Sequence, residues 1–258
     1  MNHLHSGKTI TTTSPTDARP GATRPASTPV FPEPRTAAPF ELLESCLPVR
    51  RHSLREGAAA YRAGDRFTDL HLVRSGVFKV MVVTRDGREK VLALRLKGDW
   101  LGFDGIADGH YACDAIAIEP GEVWSVRYDA LLEASVDRPE LAALIHRAMG
   151  HEIAGDRDSM MALYTLPADA RVARFLGGWL ESLSHRGMQT DRITLRLTRA
   201  EIGNHLGMTL ETVSRAFSRL VRENVIRFVE GHHREVQVPD VDRLRRFVQS
   251  SLMPTTIH

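Results

Sequence analysis

Glu211, Ser214 and Arg215 stand three and four residues apart, and Ser218 and Arg222 continue the same line. At about 3.6 residues per turn this spacing puts all five on one stripe of a helix. Their types suit the reading of DNA base edges. An Arg forks onto guanine O6 and N7, a Glu accepts from cytosine N4, and a Ser serves either role or holds a phosphate. A polar stripe alone is usually just solvated, so its neighbours matter. Leu210, Val213, Phe217 and Leu220 recur at helical spacing on the other side and are expected to face a core. Thr209 is the expected N-cap, and the helix should run to about Arg222.

A shorter helix has to position this one. Thr198, with Glu201 three residues on, makes a capping box, and Ile202 and Leu206 supply a buried stripe. Gly207 then takes the positive φ that ends a helix sharply, and Gly203, four residues before it, marks a close helix crossing. Two helices joined by a tight turn, the second carrying compact polar side chains, read as a helix-turn-helix.

The run IGNHLGMTLETVSR (202–215) closely resembles the winged helix-turn-helix signature of the Crp/Fnr family of bacterial transcription regulators. Within it, ETVSR resembles the fumarate–nitrate branch, in which a Glu, a Ser and an Arg spaced as Glu211, Ser214 and Arg215 read the half-site TTGAT. The cyclic-AMP-receptor branch carries Gly where Ser214 stands and Arg where Leu210 stands. The likeness extends from about Cys46 to Arg246. It implies an α+β chain: a cyclic-nucleotide-binding-type β-roll (jelly roll), a long dimerisation helix and a C-terminal winged helix-turn-helix. It further implies a homodimer, double-stranded DNA and RNA polymerase as partners, and activation of transcription rather than catalysis. Arg215 would read guanine, Glu211 the cytosine opposite, and Ser214 a thymine or phosphate. Arg199, Thr209, Thr212, Arg219 and Arg222 are expected on the DNA backbone, as is a wing turn GHHR (Gly231–Arg234) between strands 225–229 and 235–238. A last helix, 241–251, follows.

The chain of 258 residues has room for two modest domains. The expected division is an unstructured tail over 1–40, a sensor roll over 41–136, the long helix over 137–166 and the DNA-binding part over 167–258. The net charge of +2 is uninformative, but residues 192–246 hold eleven Arg against seven acidic residues, a modest basic surplus. No run approaches the ~18 apolar residues of a membrane span, and no signal-like stretch is present, so a cytoplasmic protein is expected. The first 40 residues hold seven of the 13 Pro and eight Thr, a composition that cannot offset ordering entropy. His3 and His5 form no ligand cluster there.

In the sensor region Gly64, Gly76, Gly87 and Gly98 punctuate strand-like runs: DLHLVRSG, VFKVMVVT, EKVLALRL, CDAIAIEP and EVWSVRY. Asp86-Gly87 is a hairpin signal. AGD at Ala63, LVRSG at Leu72 and KGDWLGFDG at Lys97 resemble recurring turns of the family roll. Binding a cyclic nucleotide needs an Arg for the phosphate and a carboxylate for the ribose. The family's binders carry Gly-Glu and Arg-Ser there; this chain has Gly102-Phe103-Asp104 and Tyr111-Ala112-Cys113-Asp114, with no Arg over 100–126. Cyclic-nucleotide binding is therefore not expected.

An iron–sulfur cluster normally demands four thiolates, and only Cys46 and Cys113 are present, which excludes a conventional cluster within one chain. Trp124 stands about where the family's internal Cys would be. The two Cys are read as ordinary thiols, with a redox pair or one oxidisable thiol as the sharper alternative. His71 and His110 are read as structural rather than as metal or haem ligands. No cofactor is identifiable, and the effector stays open.

Pro139 is pre-set for the first turn of a helix. Leu141, Leu144, Ile145, Ala148, Met149, Ile153, Met160, Met161 and Leu163 give a stripe for about 25 residues, before Pro167. By resemblance this helix pairs with its mate, with Glu152 and Asp156 beside the seam. There the acids meet their own copies and keep dimerisation marginal. The rival from another class is a ligand- or thiol-redox-responsive roll that regulates a protein partner, its helix-turn-helix idle. For an enzyme, no carboxylate pair, nucleophile–base pair or phosphate loop stands out.

Overall fold

Alternating aliphatic and β-branched residues broken by turn glycines do become a roll. The computed structural model describes residues 38–251, apart from 86, 186, 188–190 and 230–231. The expected tail lies outside the described residues as far as 37, but residues 38–40 instead open helix α1 (Ala38–Cys46). Phe40 in that helix is buried edge-on against Trp124, with ring centroids 5.1 Å apart. A large aromatic with a partner to cover it pulled the end of the Pro-rich stretch into the fold.

Eight strands follow: β1 (Arg50–Leu54), β2 (Ala59–Tyr61), β3 (Asp69–Ser75), β4 (Phe78–Val83), β5 (Glu89–Arg95), β6 (Trp100–Leu101), β7 (Asp114–Ala117) and β8 (Gly121–Arg127). They make two antiparallel sheets, ordered β1-β8-β3-β6 and β2-β7-β4-β5. All five strand-like runs are there; β1, β2 and β6 are additions. Asp86 lies outside the described residues, but β4 and β5 pair as the hairpin signal requires, and Gly87 has φ +78°. At one turn the backbone itself demands glycine: a Cβ on Gly76 would come within 2.7 Å of the Gly121 Cα.

Both faces of β3 are buried. Val73 turns inward with Phe78, Leu101 and Val123. Leu70 and Leu72 turn outward onto Leu43, Leu131, Leu141 and Ile145, which come from α1, α2 (Tyr128–Asp137) and α3 (Pro139–Thr165). Helix α3 starts at Pro139 as expected and runs 27 residues.

The C-terminal part holds α4 (Ala168–His185), β9 (Arg192–Thr194), α5 (Arg199–Leu206), α6 (Leu210–Arg222), β10 (Arg227–Val229), β11 (His232–Gln237) and α7 (Val241–Ser250). Val172, Leu176, Trp179 and Leu180 of α4 form one core with Ile193, Ile202, Phe217 and Leu220. The expected two-stranded wing is three-stranded, ordered β10-β11-β9. Val225 and Ile226 are buried ahead of β10 rather than paired in it.

Candidate DNA-reading surface

Helix α5 opens on the capping box anticipated. The Thr198 hydroxyl accepts the Glu201 amide at 3.1 Å, and the Glu201 carboxylate accepts the Thr198 amide at 2.9 Å. Gly207 ends it with φ +64°. Gly203 is required by the crossing: a Cβ there would stand 2.6 Å from the Met208 carbonyl and 3.3 Å from Val213. Thr209 caps α6 by accepting the Thr212 amide at 3.2 Å, with the two hydroxyls 3.1 Å apart.

Four side chains seat α6 in the core: Val213, Ala216, Phe217 and Leu220. Leu210, expected in that set, is 47 % exposed, and Ala216 takes the inner place. The first turn of α6 overhangs the core, so its leading residue points outward. Glu211, Ser214, Arg215, Ser218 and Arg222 are all exposed. The reading stripe is therefore open, with Leu210 beside it. Glu211 is held below the usual carboxylate range by its own backbone amide, the Thr209 hydroxyl and Arg215, so it presents acceptors only. Ser218 donates to the Ser214 carbonyl at 3.0 Å and so serves its own helix.

Two of the arginines expected on the DNA backbone are otherwise engaged. The Arg199 guanidinium lies 3.4 Å from the Phe217 ring centroid and 5.2 Å from that of Phe228, and burial lowers its pKa to about 10. It is a cation–π filler between α6 and β10. Arg219 pairs with Asp169 and, at 2.8 Å, with Glu223, tying α6 to α4. The long stem of Arg199 is taken up by rings distant in sequence, whereas Arg219 stays half exposed beside its two carboxylates. Arg222 is exposed, as is Arg234 on β11; Gly231 of the wing turn lies outside the described residues.

The long helix is divided between two duties. Leu141 and Ile145, expected along a pairing seam, are buried in the chain's own core, and Ala148 and Met149 pack at its edge. Glu152 faces the roll, its carboxylate 2.9 Å from Arg95 on β5. An ion pair within the chain therefore already occupies this carboxylate, which was expected beside the seam. Further along, Ile153 is 49 % and Met160 58 % exposed, and Asp156 is exposed with them.

In the roll, polar groups are satisfied internally. Asp104 accepts the amides of Ala112 and Cys113 at 2.8 and 3.0 Å. Cys113 is buried, and burial together with Asp104 pushes its thiol up to about 12, so that it is held as the protonated thiol near neutral pH. Cys46 ends α1, its sulfur 3.4 Å from the Ser45 hydroxyl; both thiols are free. Tyr111 donates to the Asp69 carbonyl at 2.7 Å, so its oxygen accepts from His71 Nε2 at 3.1 Å, and Ser125 donates to His71 Nδ1 at 2.7 Å. Burial takes His71 down to about 4, leaving a neutral core histidine. Among the described residues no three His, Cys, Asp or Glu side chains group as a metal site. None of the described helices is long and apolar enough to cross a membrane.

A β-roll, a long helix and a winged helix-turn-helix with an open polar face define a transcription regulator with a DNA-binding domain. Comparison with known proteins agrees. Residues 51–136 match the cyclic nucleotide-binding domain family, and residues 170–247 match the Crp-like helix-turn-helix domain family. The chain is 34 % identical to the fumarate and nitrate reduction regulatory protein of Yersinia pestis over 69 % of its own length and 71 % of the relative's. Against the protein of that name from Vibrio cholerae it is also 34 % identical, over 73 % and 78 %. The solved structure of FixK2 from Bradyrhizobium japonicum superposes with a TM-score of 0.67 at 27 % identity, covering 78 % of this chain and 97 % of FixK2. A CooA variant from Carboxydothermus hydrogenoformans shares the fold, with a TM-score of 0.63 at 19 % identity over 81 % and 90 %. The chain belongs to the Crp/Fnr family of transcription regulators.

Proposed function

We propose that this regulator works as a cytoplasmic homodimer that reads a TTGAT-like palindrome and activates transcription through RNA polymerase. The observation that supports this reading is the joint exposure of Glu211, Ser214 and Arg215 on a helix whose other side is locked into the core. Arg215 forks onto guanine, Glu211 accepts from the paired cytosine, and Ser214 meets a thymine or phosphate. Leu210 joins them as an apolar contact for a thymine methyl. Thr209, Thr212 and Arg222 lie around the stripe and serve the backbone.

Two copies of α6 related by a two-fold reach successive major grooves ~34 Å apart, which requires a palindrome. The exposed Ile153 and Met160 support pairing through the second half of α3, with Asp156 beside them. No cyclic nucleotide is needed: the amides of Ala112 and Cys113 already hold the carboxylate of Asp104, which would repel a phosphate. The test is titration of the full chain onto a TTGAT palindrome at several salt concentrations. Tight binding with a steep negative salt slope is expected, together with loss when either half-site is scrambled. Equal affinity for scrambled duplex would overturn the reading.

A further inference from the structure

Helix α5 has eight residues, too few to be stable alone in water, and it carries the orientation of α6 across the Gly203 crossing. The sensor roll is one of the surfaces that hold it. Strand β5 is the last strand of its sheet, and α5 lies against it. Lys79 of β4 reaches Glu201 at 2.8 Å, and this is the carboxylate whose other oxygen closes the Thr198 capping box. Lys79 is only 13 % exposed and Glu201 25 %, so the pair is poorly screened. Burial alone would raise the Glu201 carboxyl, but Lys79 and Thr198 outweigh it and hold the group below its ordinary range.

At the other end of α5, Lys90 donates to the Asn204 carbonyl, and Arg171 donates to the Leu206 carbonyl at 2.8 Å. Both are cations placed at the negative end of the helix dipole. Asn204 donates to the Glu89 carbonyl and His205 to the Val91 carbonyl, so side chains of α5 engage the open backbone edge of β5. Val77 and Leu96 of the roll belong to the same apolar core as Leu197 and Ile202.

We propose that Lys79 is a positioning residue for DNA reading: it fixes α5, and through it the recognition helix α6, by clamping the carboxylate that caps α5. The proposal rests on the DNA-reading assignment for α6. Lys79 touches no base and no phosphate; its effect passes through Glu201. The roll thus contributes a charged side chain to the register of a helix in the other domain, which gives a change in the roll a direct mechanical route to DNA affinity.

The experiment compares full-length wild type with Lys79→Met, which keeps the apolar stem, with the conservative Lys79→Arg, with Glu201→Gln, which keeps the capping hydrogen bonds, and with the Lys79→Met/Glu201→Gln double variant. Lys79→Met and Glu201→Gln are each expected to weaken binding to a TTGAT palindrome by about fivefold or more, the low end of coupling between sites. The double variant should lose little beyond Lys79→Met, because both singles remove the Lys79–Glu201 pair and the looser contact of Lys79 with Glu89, at 3.6 Å, is already lost in Lys79→Met. Lys79→Arg should restore near wild-type affinity. The ranking of half-site sequences and the salt slope should not move, and amide exchange over residues 199–206 should quicken in Lys79→Met without DNA.

Affinity within about twofold of wild type in Lys79→Met would overturn the proposal, as would additive losses in the double variant. A salt slope shallower by about one would also overturn it, since Lys79 would then be meeting a phosphate. If wild type binds no palindromic duplex, the DNA-reading assignment fails separately. Exchange then decides the positioning role: unaltered exchange across α5 in Lys79→Met ends it.

Discussion

The turn around Asp104 and the exposed face of α6 both gather polar groups, but they treat them in opposite ways. In the roll the donors find internal acceptors: Ala112 and Cys113 amides on Asp104, Tyr111 on the Asp69 carbonyl, Ser125 on His71. On α6 the side chains of Glu211, Ser214, Arg215 and Arg222 stand in solvent while the opposite side is sealed. A closed network needs nothing from outside and gives rigidity; an open stripe on a rigid support is prepared for a partner. The same chain therefore carries one polar cluster satisfied from within and one left open to solvent. Position in the fold, rather than residue type, tells them apart.

The strongest way to break the contrast is to disturb the support of the open stripe. Gly203→Val inserts a side chain where even a Cβ meets a backbone carbonyl at 2.6 Å. The expected cost is about 3 kcal/mol of stability in the C-terminal domain, with loss of DNA binding. A chemical melt followed by titration with the palindrome reads both.

The closed network is probed by pH. The folded His71 imidazole takes a proton only near 4, whereas in the unfolded chain it does so near 6.5. Between those values the unfolded state binds more protons, so stability falls as pH falls through that window, by about 3 kcal/mol at most. His71→Gln should flatten that part of the stability–pH curve; an unchanged curve would show that the loss comes from elsewhere.

A narrower effect is expected from the open stripe itself. Arg215→Ala should cost about 1–3 kcal/mol at one base pair and relax preference there, as read on a set of single-base half-site variants. Equal loss on all sequences would contradict base reading. The smallest change separates two neighbouring arginines. Arg222→Ala should reduce the salt slope by about one for each phosphate left without its cation, and Arg219→Ala should leave the slope intact because that side chain is held by Asp169 and Glu223.

Much of this was legible along the chain. The capping box at Thr198, the exit at Gly207, the start of α3 at Pro139 and the strand runs between turn glycines all depend on residues a few positions apart. The signals that were missed were short or shared. Strands β6 and β9 span two and three residues, too few for a pattern. No element was expected over residues 168–185, although α4 carries the apolar spacing of Val172, Leu176, Trp179 and Leu183. On α3 one continuous apolar stripe hides a division, because Leu141 and Ile145 serve the roll while Ile153 and Met160 stay exposed.

By itself the sequence determined the five strand runs of the roll, the start of the long helix, where the two short helices begin and cross, and which polar side chains line the stripe at 211, 214 and 215. Helical period, capping and turn conformation are interactions among near neighbours, and they are written in the order of residues. Only the tertiary structure decided that Arg199 lies on Phe217, that Arg219 is spent on Asp169, that Glu152 meets Arg95, and that Lys79 grips Glu201 from 122 positions away. Long charged side chains reach whatever the fold brings within a few ångströms, and that depends on packing between segments whose separation along the chain leaves no periodic trace.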